Sequence, residues 1–205
     1  MQRSIDEFSL LLVRTGCLRF GTFKLPSGTL TSYYVDLRLV PSDPEAFKKV
    51  IEYYSELLRG DLLESSQSIA GIQTAGTAYG AVLAFNHRKP FLHVGREDKE
   101  HGTERIDGAL LTGLRVLVLD DVVTTGNTLI HSIEAIRSKG GVVKDAVVLL
   151  DRNQGGSANL KKFEVKLHSF TNMSQVCGIL LDKGVIDESE YDQIIDQISN
   201  QSTES

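Results

Sequence analysis

Residues 116–128 read VLVLDDVVTTGNT, and this stretch constrains the fold of the chain more than any other. Its first four residues are an unbroken apolar run, which is typical of a strand buried on both faces. Two adjacent carboxylates, Asp120 and Asp121, follow directly. Because burying such a pair is costly, we expect both at the exposed end of the strand. Apolar residues then recur at helical spacing from Leu129 to Ile136, so the segment predicts a strand, an acidic pair, a small-residue loop and a helix.

The loop between the acidic pair and the helix has the properties of an anion site. Thr124, Thr125 and Thr128 carry hydroxyl donors, and Gly126 lets the backbone approach a ligand closely. The helix expected to begin near Asn127 directs unpaired N–H groups and the positive end of its dipole at this loop. The two upstream carboxylates accept hydrogen bonds but repel a phosphate, so they suit the hydroxyls of a sugar that carries the phosphate. An ordinary strand–helix junction, in which these residues only cap the helix, is the alternative interpretation.

This stretch resembles the phosphoribosyl pyrophosphate signature of type I phosphoribosyltransferases, an apolar strand followed by two acids and a Thr/Gly-rich loop. The resemblance implies an α/β fold with a parallel-sheet core flanked by helices and a small hood or cap built from the N- and C-terminal segments. It implies that Asp120 and Asp121 bind the ribose 2- and 3-hydroxyls, that Asp121 belongs to the catalytic residues, and that residues 124–128 surround the 5-phosphate. Non-catalytic regulators share this motif, so the motif alone leaves activity open.

Three further segments resemble orotate phosphoribosyltransferases in particular. Residues 23–28 and 32–36, FKLPSG and SYYVD, resemble the hood motif beside the base; residues 99–102, KEHG, resemble the catalytic loop; and residues 151–156, DRNQGG, resemble the loop that meets the orotate carboxylate. The implied reaction transfers the phosphoribosyl group from phosphoribosyl pyrophosphate to N1 of orotate, with Mg²⁺ carried by the substrate. A purine-type phosphoribosyltransferase and a non-catalytic sensor of phosphoribosyl pyrophosphate are the alternatives.

Residues 95–107 are nearly all polar, which predicts a mobile loop. As the bond to pyrophosphate breaks, negative charge builds on the leaving group, so the site needs cations and donors around it. The resemblance implies that Arg96, Lys99 and His101 bind the pyrophosphate, and that Lys99 and His101 are catalytic. In the family this loop reaches into the neighbouring subunit, which implies a homodimer that shares loop 95–107. A solvated charged loop is the alternative.

Recognition of the base is assigned to residues on both sides of the predicted cleft. A guanidinium pairs bidentately with a planar carboxylate, which orotate has and purine bases lack, so Arg152 is the residue expected to select orotate. Tyr34, Thr124 and Lys24 are the other expected orotate contacts. Tyr33 and Tyr34 are the candidates to cover the face of the base, although an aromatic residue in a strand is as often part of the core.

Three positions that are basic in many members of the family are not basic in this chain. They are Pro26, Ala75 and Gly95. We expect Lys24 to replace the lysine missing at Pro26. We expect residues 74–77 to form a second small-residue loop, at which Thr74 and Ala75 bind the pyrophosphate and Thr74 and Thr77 supply neutral donors.

The size and charge of the chain limit the remaining possibilities. With 205 residues, of which 41% are hydrophobic, we expect one domain over residues 1–205, with a hood from about 1–40 and 163–198 and a core from about 42–160. The formal net charge of −5 argues against a nucleic-acid partner. No apolar run reaches the roughly 18 residues needed to span a bilayer, so we expect a cytoplasmic protein without a membrane partner. Cys17 and Cys177 lack metal-site spacing, and no protein-held metal is predicted.

Overall fold

The computed structural model describes residues 2–24, 28, 30–98, 103–109 and 112–203. The helices in these ranges are α1 (Gln2–Arg14), α2 (Pro44–Leu57), α3 (Asp61–Glu64), α4 (Ala75–Asn86), α5 (Asn127–Ser138), α6 (Gly156–Lys162), α7 (Met173–Asp182) and α8 (Glu188–Thr203), with a 3₁₀ helix at Leu37–Ser42. The strands are β1 (Leu18–Lys24), β2 (Leu30–Val35), β3 (Ser68–Ile72), β4 (Phe91–Asp98), β5 (Thr103–Asp107), β6 (Val116–Leu119), β7 (Val122–Val123), β8 (Asp145–Asp151) and β9 (Lys166–Asn172).

Seven of these strands form one mostly parallel sheet in the order β5-β4-β3-β6-β8-β7, with β9 paired to β8. β5 runs antiparallel to β4, and the other pairs are parallel. Since β9 pairs along the whole length of β8, β6 and β7 share the other edge of β8, one after the other. Such a sheet, connected by helices, confirms the predicted α/β class.

The apolar run that opens the 116–128 stretch forms the centre of this sheet. Successive side chains of a strand point to opposite faces. Leu117 and Leu119 accordingly join a core with α1, α2, α4, α7 and α8, while Val116 and Val118 join a second core with α5 and α6. All four residues are buried, as predicted for a strand covered on both faces.

Glycines bring α4 unusually close to this sheet. A Cβ on Gly71 in β3 would collide with the backbone of Gly76, and one on Gly80 would lie 3.2 Å from the Cα of Gly71. The first turn of α4 can therefore rest directly on the ends of β3 and β6.

The remaining strands, β1 and β2, form an antiparallel hairpin that packs beside α8. Gln197 of α8 accepts hydrogen bonds from the backbone N–H and the hydroxyl of Ser32, both at 2.8 Å, and donates one to Thr31 at 2.8 Å. The C-terminal helix thus fixes the position of β2. Strand β9, although it falls in the segment 163–198 expected in the hood, belongs to the seven-stranded sheet. Of the helices in the described ranges, none combines the length and apolar character needed to cross a lipid bilayer.

Candidate active site

The acidic pair lies at a break between β6 and β7, and not at an exposed strand end. The N–H of Asp120 donates to the carbonyl of Val147 at 3.0 Å, and the carbonyl of Asp121 accepts from Leu149 at 3.0 Å, so both residues stay anchored to β8. Asp120 is only 8% exposed, and the expectation of an exposed position is wrong for this residue. The break allows its burial because backbone donors left unpaired by the interrupted ladder turn toward the carboxylates.

Those donors, together with burial, set the electrostatics of the acidic pair. The N–H of Asp121 donates to Oδ1 of Asp120 at 3.0 Å, and the N–H of Val122 donates to Oδ1 of Asp121 at 2.9 Å. Burial, and then the charge of Asp121, raises the pKa of Asp120 well above its usual range, and burial also raises the pKa of Asp121. A ligand that donates hydroxyl hydrogens to the pair would stabilise the charged carboxylates that burial disfavours.

The 124–128 loop encloses a small polar pocket beside Asp120. The pocket has a volume of about 70 Å³ and is lined by Asp120 and residues 122–129, so all five predicted phosphate residues meet there. Its volume is several times what one water molecule needs. Gly126 has a φ of +84° directly before α5, and its Cβ position lies 3.3 Å from the carbonyl oxygen of Gly156, so a side chain would be strained there. The loop thereby brings the N-terminal N–H groups of α5 to the pocket.

The first turn of α4 lies on the other side of Asp120. A Cβ on Gly76 would lie 2.5 Å from the carbonyl oxygen of Leu119 and 3.1 Å from Oδ1 of Asp120, and the N–H of Gly76 lowers the pKa of that carboxyl against the larger effect of burial. Thr74 is exposed and preceded by a cis peptide bond, whereas Ala75 is buried. Of the two predicted pyrophosphate residues, Thr74 has an accessible side chain, and Ala75 has only its backbone to offer a ligand.

Strand pairing brings Arg152 next to the phosphate loop. Val123 pairs with Asp151, and the N–H of Arg152 donates to the carbonyl of Val123 at 3.0 Å, one residue before Thr124. The Arg152 side chain then reaches the hairpin: its Nε donates to the hydroxyl of Tyr33 at 3.2 Å, and its Cζ lies 4.7 Å from the centre of the Tyr33 ring. Two predicted orotate contacts, Thr124 and Arg152, are therefore neighbours.

The other two predicted orotate contacts lie on the hairpin. Tyr34 is half-buried, with its ring centre 5.8 Å from that of Phe23 and 5.2 Å from Cζ of Arg19. Lys24 is exposed at the end of β1, where it pairs with Leu30. No described contact joins Lys24 to the rest of the site.

The structure describes the residues predicted to bind the pyrophosphate leaving group only in part. Lys99 and His101 lie outside the described residues, as does Pro26, and of Arg96 the structure describes the backbone, which is part of β4. β4 and β5 pair antiparallel at the edge of the sheet and lead into and out of residues 99–102. The prediction of a loop over residues 95–107 is therefore wrong for residues 95–98 and 103–107, which form the ends of β4 and β5, because polar side chains do not prevent backbone pairing at a sheet edge.

Several residues near the site were not predicted. The hydroxyl of Tyr54, on α2, donates to the carbonyl of Asp120 at 2.8 Å, and Gln154 donates to Tyr33 at 3.3 Å. Arg38 binds both carboxylate oxygens of Asp36 at 2.7 Å; its hydrogen bonds lower the pKa of Asp36, whose charge adds to the effect of burial on Asp121. The sequence carries no local signal for the Tyr54 contact, because its partner is 66 residues away and α2 has the pattern of a packing helix.

The sequence of this chain matches a known protein family. Residues 43–176 match the family model of the phosphoribosyl transferase domain. An orotate phosphoribosyltransferase of Pyrobaculum islandicum is 42% identical over 186 residues, which cover 90% of this chain and 94% of that protein.

Two solved structures resemble this one along most of its length. The crystal structure of orotate phosphoribosyltransferase from Aeropyrum pernix is 34% identical, with a TM-score of 0.78, and the match covers 88% of this chain and 99% of that one. The structure of Leishmania donovani UMP synthase is 28% identical with a TM-score of 0.84, and the match covers 95% of this chain but 42% of that longer chain.

Proposed function

The chain belongs to the orotate phosphoribosyltransferase family, and we therefore propose that it transfers the 5-phosphoribosyl group from phosphoribosyl pyrophosphate to N1 of orotate, giving orotidine 5-monophosphate and pyrophosphate. This is a pentosyl transfer of pyrimidine biosynthesis. The main support for this proposal is the pairing of β7 with β8, because it puts Arg152, the residue expected to bind the orotate carboxylate, beside the phosphate loop.

The sugar phosphate is held between two strand ends. The 5-phosphate occupies the pocket of the 124–128 loop, where the N-terminal N–H groups of α5 and the threonine hydroxyls donate to it. The ribose 2- and 3-hydroxyls donate to Asp120 and Asp121, whose raised pKa values mark carboxylates in need of such donors. These contacts fix the ribose C1 carbon between the base and the leaving group.

The pyrophosphate lies toward Thr74 and the backbone of Ala75, with Arg96, Lys99 and His101 closing over it. Lys99 and Arg96 stabilise the charge that builds on the leaving oxygens, and His101 in its protonated form donates to them. Closing this loop also excludes water, which would otherwise compete with N1 of orotate for the ribose. The carboxylate of Asp121 stabilises the positive charge that develops on the ribose ring in the transition state.

The chemistry of the donor set fits Mg²⁺ that arrives with the substrate. No group of three or more His, Cys, Asp or Glu residues is placed to hold a metal within the described ranges. The carboxylates of the acidic pair carry hard oxygens of the kind that Mg²⁺ prefers, so they are compatible with a nearby ion whose ligands would come from substrate oxygens and water. When bound, Mg²⁺ would offset the negative charge of the pyrophosphate.

Arg152 selects the base. Its guanidinium pairs with the orotate carboxylate, while Tyr34 lies along the base and Thr124 and Lys24 contact its polar edge. The test follows orotate absorbance in the presence of Mg²⁺ and phosphoribosyl pyrophosphate for the wild type, Arg152→Ala and Arg59→Ala. We expect turnover by the wild type, a fall of roughly 10²-fold in kcat/KM for Arg152→Ala, and no change for Arg59→Ala, an exposed arginine in the turn that follows α2.

A folded wild type that leaves the orotate signal unchanged would contradict the proposal. Parallel reactions with adenine and hypoxanthine identify a purine-type enzyme, and binding of phosphoribosyl pyrophosphate without any turnover identifies a sensor.

We further propose a homodimer in which loop 95–107 of one subunit completes the site of the other. The position of β5 at the sheet edge, paired with β4, supports this arrangement, because no other strand within the described ranges covers the outer side of this hairpin and a second subunit can reach it. Mixing and reassembling the strongly impaired variants Lys99→Ala and Arg152→Ala creates mixed dimers with one intact site, and about one quarter of wild-type activity should return. No recovery in mixtures whose dimers are shown to exchange would refute the sharing.

The same proposal includes one domain over residues 1–205, with the hairpin and the C-terminal helices as a hood above the core. It also includes a cytoplasmic location, which is supported by the two buried, unpaired thiols of Cys17 and Cys177. Small molecules are its partners, and no nucleic acid or membrane is expected to bind.

A further inference from the structure

We propose that Tyr33 is a positioning residue that orients the guanidinium of Arg152 and thereby sets the selectivity for the carboxylate of the base. The inference rests on the proposed function, in which Arg152 reads that carboxylate. Tyr33 acts through Arg152 and does not touch the substrate, because its side chain is fully buried.

Tyr33 contacts the guanidinium in two ways at once. Nε of Arg152 donates to the Tyr33 hydroxyl at 3.2 Å, and Cζ of Arg152 lies 4.7 Å from the ring centre. The ring restricts the plane of the guanidinium, and the hydroxyl restricts its rotation in that plane. Together they fix the direction in which the arginine presents its donors.

This contact leaves a defined set of donors for a ligand. An arginine has five N–H groups, and only the Nε–H is used by Tyr33. The two terminal nitrogens of Arg152 make no hydrogen bond to any residue within the described ranges. Since Nε is occupied, a carboxylate is bound end-on, by both terminal nitrogens, and not by the side-on pair of Nε and one terminal nitrogen.

Two further residues, Gln154 and Thr31, hold Tyr33 in place, so its own position is fixed. Gln154 donates to the same hydroxyl at 3.3 Å, and the hydroxyl of Thr31 donates to the Tyr33 carbonyl at 2.9 Å. Thr31 in turn accepts from Gln197 on α8. The position of the β1–β2 hairpin therefore determines where the guanidinium of Arg152 lies.

The experiment measures the affinity of the 205-residue protein for orotidine monophosphate and for uridine monophosphate, which has the same ring without the carboxylate. Tyr33→Phe keeps the ring and removes the hydroxyl. We expect this variant to bind orotidine monophosphate about tenfold more weakly and uridine monophosphate unchanged, because only the first ligand uses Arg152. Tyr53→Phe is the matched control, since Tyr53 is a buried tyrosine that packs on Phe8 and Phe170 away from Arg152.

A double-mutant cycle distinguishes positioning from a general structural effect. If Tyr33 acts through Arg152, then Tyr33→Phe should cost nothing further in an Arg152→Ala background. An equal loss for both nucleotides, an additive loss in the double variant, or an unchanged Tyr33→Phe would each overturn the inference while leaving the proposed function intact. A wild type that binds the two nucleotides equally would instead remove the proposed orotate selectivity, and the inference with it.

Discussion

Replacement of Gly76 by alanine tests how closely α4 rests on the acidic pair. The added Cβ would lie 2.5 Å from the carbonyl oxygen of Leu119, whereas real Cβ contacts stay beyond 3.0 Å. It would also lie 3.1 Å from both Cα and Oδ1 of Asp120. Because the obstructing atoms are mainly backbone, no side chain can rotate away, and α4 or the β6 end must move by about 0.5 Å or more.

That displacement predicts a loss of both stability and activity. Overpacking of this kind costs about 1–3 kcal/mol, which for a chain of this size lowers Tm by roughly 2–12 °C. Misplacement of Asp120 relative to the phosphate loop should reduce kcat/KM by up to about 10²-fold, since a shift near 1 Å in a positioning group has that effect.

The control is another glycine-to-alanine change in a helix. Gly178, on α7, has no atom within 4 Å of its Cβ position, so Gly178→Ala should raise stability by about 0.5–1 kcal/mol and leave activity unchanged. Thermal unfolding and the orotate absorbance assay are run on both variants. A Gly76→Ala protein with wild-type Tm and wild-type kcat/KM would refute the close contact between α4 and Asp120.

Two other changes probe the charge of the acidic pair and the support of the hairpin. Because burial raises the pKa of Asp120 in the folded protein, the unliganded wild type should lose stability as pH rises from about 4 through that raised pKa. Asp120→Asn should therefore be more stable than the wild type at pH 7 and equal to it below about pH 4, as measured by chemical denaturation across pH. The same variant should be inactive. Equal stabilities at pH 7 would speak against a buried charge. Gln197→Ala removes the partner of the Ser32 N–H, so it should lower the free energy of unfolding by about 1–3 kcal/mol and raise the KM for orotate. Gln193→Ala, on the exposed face of the same helix, should match the wild type in stability and in KM. Similar values for the two variants would show that α8 does not support β2.

Local patterns were sufficient for much of the fold and for the phosphate loop. The apolar run 116–119, the small residues 124–128 and the helical spacing after Leu129 are all adjacent in the sequence, and each constrains its own backbone directly. The α/β class followed from them and is confirmed. The meeting of the five loop residues with Asp120 followed from the same segment.

The features that the sequence did not predict all depend on distant pairing. The burial of Asp120 requires the interrupted ladder between β6 and β7 on β8, and two valines after an acidic pair give no sign of a second strand. The contact between Arg152 and Tyr33 joins residues 119 positions apart, across the hairpin and the core. Periodicity describes one segment at a time, so it identifies Tyr33 as a strand residue without indicating what its hydroxyl binds.

The glycines shared by β3 and α4 limit how this protein can be redesigned. The space that a Cβ would need at Gly71, Gly76 and Gly80 is already filled by neighbouring backbone or side-chain atoms. A larger residue at any of these positions would therefore displace α4 and the residues that it supports. Thr74, by contrast, is exposed at the mouth of the same loop. A mutant library that seeks a new leaving group should therefore vary Thr74 and keep the three glycines unchanged, because variation at the glycines would mainly lower stability.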